Sequence, residues 1–302
     1  MNKKWQADIV VNEGLVVKLL RAQFPTLELT EISCIGEGWD NCAFLVNQTI
    51  IFRFPRRKIA VELIEQENKL LKHLQSYFTL QIPNPIFLGR SSEEYPYSFH
   101  GYQLIKGLPA EEALLTSQQR LASLQPLALF LRKLHSIGEK QALEMGAKPH
   151  SGKTMATFQE RVNQLVALGY RIDEQQIQQE IKVIQEIKLS NFKCLVHGDL
   201  YCRHLIFNEG QLTGIIDWGD VGISSPAMDL AVIWTFYPKK YHPLFLEIYG
   251  AVDPNSWHYA RFLGLYIAIT LILYGQDIGN TQLLSEAKES VQRINARIFS
   301  DG

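Results

Sequence analysis

Apolar and polar positions along the first third of the chain predict a small α+β unit with an antiparallel sheet. The predicted elements are a helix over 12–24, strands over 29–35, 42–46 and 49–54, a helix over 59–74, and strands over 86–88 and 98–105. In the second helix Leu63, Leu70 and Leu74 recur at helical spacing, which places them on one face. Glycine-containing and Asn-Gln turns separate the three strands that precede this helix.

Beyond residue 106 the pattern becomes mainly helical. A leucine stripe and four later segments have helical periodicity, namely Leu121, Leu124, Leu127, Leu131 and Leu134, and then 175–188, 226–236, 256–274 and 281–298. A strand–loop–strand–turn interruption over 194–220 lies inside this helical half. We therefore predict a sheet-rich N-lobe over 1–106 and a larger, mainly helical C-lobe over 107–302, with a short linker at Lys106–Pro109.

Composition narrows the class to a soluble globular protein. The 302 residues are 46% hydrophobic and 20% charged, and 30 basic against 31 acidic residues leave a net charge of −1. That balance argues against a protein whose main work is to neutralise nucleic-acid phosphates. The four cysteines lack zinc-ligand spacing and the N-terminus lacks an apolar signal segment, so a reducing, cytoplasmic location is expected. The longest apolar run, Tyr266–Tyr274, is about half of a membrane span, and we expect it to form a core helix.

Two features of the N-lobe are candidates for ligand binding. Gly36 and Gly38 lie in a predicted turn between two strands, where glycine lets backbone N–H groups approach a ligand, although a plain turn has the same pattern. Arg53 lies in the apolar strand IIFRFP, and Glu67 lies on the inward face of the following helix. A buried carboxylate is costly unless it is paired, so Arg53 is its expected partner; the alternative is that Glu67 reaches solvent at the helix edge.

The most informative stretch is LVHGDLYCRHLIF, followed by an apolar strand that ends at Asp217. Two carboxylates, Asp199 and Asp217, and the imidazole of His204 at the ends of adjacent strands are suited to bind Mg²⁺ together with waters and phosphate oxygens. A zinc site fits less well because the histidines lack H-x-x-x-H spacing. A serine hydrolase fits poorly because the chain has no G-x-S-x-G motif.

In order and content these segments resemble the aminoglycoside phosphotransferase family, relatives of the protein kinases. A glycine turn, a basic residue on the third strand, a glutamate on the next helix, a linker, HGDL and then D-W-G follow one another over residues 30–235. FLRKLHSI and ISSPAMDLAVIW also resemble family segments. The resemblance implies a bilobal, protein-kinase-like α+β fold. It also implies an enzyme that moves the γ-phosphate of ATP or GTP to a hydroxyl of a small molecule. The implied cofactor is Mg²⁺, bound as two ions.

Three residues of the C-lobe motifs acquire roles from this resemblance. Asp199 is implied to be the catalytic aspartate, which orients the acceptor hydroxyl or accepts its proton. Asp217 takes the place of the metal-binding aspartate of D-F-G, and His204 stands where most of the family carries an asparagine metal ligand. This histidine is similar to that of the aminoglycoside 2''-phosphotransferases and the macrolide phosphotransferases.

The resemblance also implies a nucleotide site in the N-lobe, formed by the two glycines with Arg53 and Glu67. Arg53 departs from the usual lysine; it keeps the charge for the phosphates but changes the geometry of the contact. Backbone groups of Gln103 and Ile105, at the hinge, are expected to bind the purine base.

His197 and Asp229 are expected to support the catalytic loop, and Asp220 is a candidate contact for an ammonium group of the acceptor. The expected acceptor is an aminoglycoside antibiotic. The alternatives are a macrolide or a metabolite alcohol, such as an amino-sugar, homoserine-like or choline-like molecule, and a catalytically inactive nucleotide-binding module. We expect a cytoplasmic monomer with neither a nucleic-acid nor a membrane partner.

Overall fold

The structure, a computed structural model, describes residues 7–38, 40–150 and 155–299. The chain divides into two compact units. The first comprises residues 1–105 together with 217–220, and the second comprises residues 106–216 together with 221–302. The short segment 217–220 therefore belongs to the first unit, although the chain on both sides of it belongs to the second.

The first unit is built on a five-stranded antiparallel sheet. Its elements are α1 (Glu13–Gln23), β1 (Ile32–Glu37), β2 (Asn41–Val46), β3 (Ile50–Pro55), α2 (Lys58–Leu74), β4 (Pro85–Gly89) and β5 (Phe99–Gln103). The strands are ordered β1-β2-β3-β5-β4 across the sheet. Residues 47–49 join β2 to β3; Asn47 and Gln48 have left-handed φ angles of 51° and 56°, and the N–H of Thr49 donates to the carbonyl of Val46.

Strand β3 is buried along its whole length because both of its faces are covered. Phe52 and Phe54 belong to the core cluster on one face, together with Leu20 of α1. Arg53, between them in sequence, points to the opposite face, where Glu67 of α2 meets it. Alternation along a single strand thus separates an apolar core on one face of the sheet from paired charges on the other.

The second unit is mainly helical and contains two small antiparallel sheets, β6-β8-β9 and β7-β10. Its elements are β6 (Leu108–Pro109), α3 (Ser117–Ala122), α4 (Leu124–His135), α5 (Glu139–Glu144), α6 (Met155–Ala167), α7 (Glu174–Glu186), β7 (Cys194–Val196), β8 (Leu205–Asn208), β9 (Gln211–Ile215), β10 (Gly222–Ser224), α8 (Ala227–Phe236), α9 (His242–Tyr249), α10 (Pro254–Asp277) and α11 (Thr281–Asn295). Short 3₁₀ turns lie at Cys202–His204 and Lys239–Tyr241.

Helix α10 is the central helix of the second unit, with α8 and α11 packed against it. Among the described residues it is the one helix whose length and hydropathy would suffice to cross a membrane, but 67% of its most apolar window is buried within the protein. The apolar run at its centre therefore forms a core helix, as predicted from the sequence.

The structure corrects the sequence prediction at three places. The leucine stripe forms two helices, α3 and α4, which meet at Ser123, whose hydroxyl donates to the carbonyl of Arg120 at 2.7 Å. In α2 the predicted inward residues Glu67, Leu70 and Leu74 are buried, but at its start Ala60 and Ile64 are buried and Leu63 only partly so. The predicted linker at 106–109 contributes the short strand β6.

Helices α5, α6 and α9 lie outside the predicted elements. In α6 the signal was present in the sequence, since Phe158, Val162 and Leu165 are buried and recur at helical spacing. Five polar residues lie between Phe158 and Leu165, and propensity alone does not identify such a helix.

Candidate active site

In the first unit one arginine bridges two carboxylates. Arg53 donates from Nη1 to Oε1 and Oε2 of Glu67 at 2.9 and 3.2 Å, and from Nη2 to Oδ1 of Asp217 at 2.7 Å. The ion pair predicted between Arg53 and Glu67 is therefore present. The contact with Asp217 joins side chains 164 positions apart in the sequence and was not predicted. We call Arg53, Glu67 and Asp217 the fork.

Arginine is suited to this position because its planar guanidinium presents several N–H donors in fixed directions. Arg53 is 8% exposed and Glu67 only 1% exposed, so each charge has lost most of its water. Two buried charges offset that loss only when their geometry is good and further hydrogen bonds complete it. The second carboxylate, Asp217, supplies such a bond on the more exposed side of the guanidinium.

Burial governs the electrostatics of the fork. Loss of water lowers the pKa of Arg53, but attraction to Asp217 and Glu67 outweighs it and raises that pKa above its ordinary value. Burial raises the pKa of Glu67, while Arg53 and the backbone N–H of Trp218 oppose the increase. The guanidinium is therefore a permanent cation held beside Asp217, whose side chain is 45% exposed.

The backbone of segment 217–220 presents the Asp217 carboxylate. Asp217 has a φ of 64°, a left-handed conformation that aspartate adopts more readily than most residues with a side chain. The next residue, Trp218, is fully buried, and its ring centroid lies 6.2 Å from that of Phe78. The buried indole anchors the segment, while Asp220 at its end is exposed.

The glycine turn differs from its predicted form. Gly36 lies within β1 at the point where its register with β2 shifts, rather than in the turn, and a Cβ at this position would meet nothing within 4 Å. Gly38 follows the strand; its N–H donates to the carbonyl of Asn41 at 2.9 Å, and its carbonyl accepts from Arg56 at 3.1 Å. Both glycines are exposed, but the N–H and the carbonyl of Gly38 are already bonded within the chain.

The predicted hinge residues border a cavity of the first unit. Gln103, exposed, and Ile105, buried, line about 260 Å³ of space together with Phe78. Between them the N–H of Leu104 donates to the carbonyl of Thr49 at 2.7 Å. This bond ties the hinge segment to the start of β3.

In the second unit a buried aspartate organises the loop that carries Asp199. Asp229, at the start of α8, accepts from the backbone N–H groups of His197 at 2.7 Å and Gly198 at 2.9 Å. Burial by itself raises the pKa of Asp229. The hydrogen bond from His135, the charge of His135 and the backbone N–H of Gly198 together lower that pKa below its ordinary value. An ionised carboxylate with this many donors fixes the backbone immediately before Asp199.

Two histidines complete this support. His135 of α4 contacts Asp229 Oδ2 through Nε2 at 3.0 Å, and its Nδ1 lies 2.7 Å from the hydroxyl of Tyr249. His197 is fully buried, which lowers its pKa, and its Nε2 donates to the carbonyl of Ile216 at 3.0 Å. The role of His135 was not predicted, although the residue lies in the segment FLRKLHSI that resembles the family.

The geometry of His204 determines which of its ring nitrogens can act as a ligand. His204 Nδ1 lies 2.6 Å from the backbone carbonyl oxygen of Asp199, so Nδ1 carries the proton and donates it. Nε2 is then the ring nitrogen suited to a ligand role, as in metal-binding histidines whose other nitrogen is held by a carbonyl. Asp199 itself is half-buried on the same loop.

Within the described ranges no three His, Cys, Asp or Glu side chains are grouped so as to hold a metal ion by themselves. This donor set suits Mg²⁺, which binds through one or two protein ligands and completes its octahedron with phosphate oxygens and water. It does not suit a structural zinc ion, which needs four protein ligands.

The predicted site residues thus form two sets. Arg53, Glu67 and Asp217 lie together in the first unit. Asp199 and His204 lie together in the second, joined through the carbonyl of Asp199.

The profile of the phosphotransferase enzyme family matches residues 31–264, and the chain belongs to that family. It is therefore a phosphotransferase, which confirms the prediction of a small-molecule kinase. Among its relatives is an uncharacterized Bacillus subtilis protein, YcbJ, 25% identical over 68% of this chain and 69% of that one. An Escherichia coli aminoglycoside 3'-phosphotransferase is 32% identical over 43% of this chain and 49% of its own length, so the match spans about half of that relative.

The fold is that of a solved structure of this class. The GDP and kanamycin complex of APH(2'')-IIIa superposes with a TM-score of 0.69 at 23% identity, covering 94% of this chain and 99% of that one. This likeness confirms the predicted α+β, protein-kinase-like fold.

Proposed function

We propose that the chain transfers the γ-phosphate of ATP or GTP to a hydroxyl of an aminoglycoside antibiotic. The observation that carries this proposal is the fork, which holds a permanent cation against Asp217 and Glu67 in the unit expected to bind the nucleotide. A triphosphate needs a fixed positive charge whose donors match its oxygens, and arginine supplies both. We assign nucleotide binding to residues 1–106, and catalysis with acceptor binding to residues 107–302.

The nucleotide side of the reaction depends on three groups of the first unit. Backbone N–H groups near Gly36 and Gly38 approach the phosphates, Arg53 neutralises them, and Glu67 holds Arg53 in place. Backbone groups of Gln103 and Ile105 bind the purine. The GDP in the APH(2'')-IIIa structure supports a guanine nucleotide as one donor for this chain.

Asp199 acts on the acceptor. Its carboxylate accepts a hydrogen bond from the acceptor hydroxyl and takes its proton as the oxygen forms a bond to the γ-phosphorus. The bond from that phosphorus to the bridging oxygen breaks, and a nucleoside diphosphate leaves. Asp229 makes this step possible by holding the backbone of His197 and Gly198, and so fixes the direction in which the Asp199 side chain leaves the loop.

Asp217 and His204 would hold two Mg²⁺ ions. When bound, this metal would neutralise the charge on the β- and γ-phosphates. His204 Nδ1 bonds the carbonyl of Asp199, so we assign Nε2 as the ring nitrogen that would face the metal. Arg53 donates to the Asp217 carboxylate and so orients it.

The acceptor is proposed from the relatives. The E. coli relative is an aminoglycoside 3'-phosphotransferase, and the APH(2'')-IIIa structure holds kanamycin. Asp220, exposed at the end of segment 217–220, is a carboxylate that suits an ammonium group of a polycationic acceptor. We place the enzyme in the cytoplasm, where nucleoside triphosphates are available.

The test is mass spectrometry of a mixed acceptor pool, incubated with ATP or GTP and Mg²⁺. The pool contains aminoglycosides, macrolides, amino-sugars and choline-like alcohols. A mass increase of one phosphoryl group on an aminoglycoside supports the proposal. Transfer to a macrolide or metabolite alone would overturn the acceptor assignment and keep the chemistry.

Asp199→Asn tests the mechanism, because the amide keeps the shape but cannot take the proton. We expect turnover to fall by about a hundredfold to ten-thousandfold while nucleotide affinity is retained. Asp253→Asn is the matched control, since Asp253 is an exposed cap of α10 and asparagine caps helices equally well. Wild-type turnover in Asp199→Asn would show that Asp199 is not the base.

A further inference from the structure

Glu111 is a buried carboxylate to which the family reaction assigns no role. Its side chain is 0% exposed. Neither carboxylate oxygen accepts a hydrogen bond from the described part of the chain. Burial raises its pKa to about 7, and its own backbone N–H and then the charge of Arg203 partly oppose that increase. An unsatisfied buried carboxyl group costs free energy, so it survives in a fold only where another contact compensates.

The compensating contact is with the loop that carries the proposed catalytic residues. Arg203 Nε lies 3.2 Å from Glu111 Oε1, at ion-pair distance but outside hydrogen-bonding geometry. Arg203 belongs to the 3₁₀ turn Cys202–His204 and directly precedes His204. Its guanidinium carbon lies 5.6 Å from the ring centroid of Tyr274 on α10.

Backbone bonds connect the same two segments. The N–H of Ala110 donates to the carbonyl of Cys202 at 3.2 Å, and Leu108 and Pro109 pair with Phe207 and Ile206. The segment that follows the hinge is therefore joined to both ends of the short stretch that contains His204. Glu111 adds a side-chain contact to these backbone connections.

We propose that Glu111 is a positioning residue that acts through Arg203 on the turn carrying His204. The expected effect of Glu111 on turnover rests on the proposed function; its effect on the position of His204 does not. The 3₁₀ turn is a single turn with a weak hydrogen-bond pattern of its own, so its orientation depends on what holds Arg203. Since His204 Nδ1 bonds the carbonyl of Asp199, a displaced turn moves both residues together.

The experiment compares Glu111→Gln with Glu112→Gln, the same change one residue further along at a half-buried position. Histidine labelled with ¹³C and ¹⁵N in the ring reports on His204, whose signals are assigned by their loss in His204→Asn. We expect Glu111→Gln to shift the His204 ring signals and to leave the melting temperature at or above the wild-type value. We also expect it to lower kcat by about tenfold, while the KM for the nucleotide changes less than about twofold. Glu112→Gln changes none of these.

Three results would overturn the proposal: unchanged His204 signals in Glu111→Gln, equal shifts in both variants, or a wild-type kcat in Glu111→Gln. Glu111→Asp keeps the charge, and we expect it to recover part of the lost turnover. The ring signals of His204 do not depend on any acceptor. If the wild-type protein phosphorylates no member of the acceptor pool, the proposed function fails while the nuclear magnetic resonance comparison still decides the role of Glu111.

Discussion

Arg53 Nη2 lies 2.7 Å from Asp217 Oδ1, while Nη1 of the same guanidinium lies 2.9 Å from Glu67. One side chain thus joins the central strand of the sheet, the adjoining helix and the segment 217–220. A lysine at this position would have a single nitrogen with which to reach both carboxylates. The fork is the feature of this chain that most clearly departs from the lysine of the family pattern.

Arg53→Lys keeps the charge and removes the second arm of the fork. We expect kcat/KM for the nucleotide to fall by about tenfold to a hundredfold, because Asp217 loses its fixed partner. Steady-state kinetics with varied nucleotide measure this. Arg57→Lys is the matched control: Arg57 pairs with Asp40 at 2.9 Å in a partly exposed position, and its replacement should change kcat/KM less than about twofold. Equal effects in the two variants would contradict the assignment.

His204→Asn tests the metal ligand. Imidazole suits Mn²⁺ better than Mg²⁺, whereas the amide oxygen of asparagine suits the harder ion. We expect the ratio of turnover with Mn²⁺ to turnover with Mg²⁺ to fall by about threefold or more in the variant. Metal titrations of the wild type, His204→Asn and the exposed His258→Asn measure the ratio. A ratio that is the same in all three proteins would argue against His204 as a ligand.

Asp229→Asn removes the charge that accepts from the backbone of His197 and Gly198. We expect a loss of about 2–4 kcal/mol in unfolding free energy, since buried donors lose an ionised acceptor. Because the folded-state pKa of Asp229 is lowered, its contribution to stability is present above the unfolded pKa and is lost as pH falls through the folded value.

Calorimetric melting as a function of pH checks this prediction. The wild type should lose its advantage over Asp229→Asn under acid conditions, below about pH 4. Asp253→Asn should follow the wild-type curve near neutral pH, because an asparagine at that cap keeps the bond to Ser256. A constant difference between wild type and Asp229→Asn across the acid range would show that the charge of Asp229 does not stabilise the fold.

The raised pKa of Glu111 predicts a pH dependence of the opposite sign. Its contribution to stability is fully present below the unfolded pKa and is lost as pH rises through the folded value of about 7. Arg203, Glu112 and Glu286 are the charged groups around it. We expect Glu111→Gln to gain melting temperature over the wild type between about pH 5 and about pH 8, whereas Glu112→Gln does not. Parallel pH profiles for wild type and Glu111→Gln would refute this expectation.

The periodicity of the sequence was enough to predict the sheet of the first unit and most helices of the second. The pairing of Arg53 with Glu67 followed from one physical rule, that a carboxylate on an inward helix face needs a cation opposite. The family and fold followed from the order of several motifs. Weakly periodic helices such as α6 were not predicted, and of the predicted inward face of α2 only Leu63 is partly exposed.

By itself, then, the sequence determined the alternation that separates Arg53 from Phe52 and Phe54, the leucine stripe, and the aspartates and histidines that carry the family pattern. Periodicity and spacing are properties of neighbours along the chain, so they can be read without coordinates. Only the tertiary structure decided that Arg53 also holds Asp217, and that Glu111 faces Arg203. Those contacts join residues far apart in the chain, and they depend on burial and on the direction of individual atoms, which no local pattern contains.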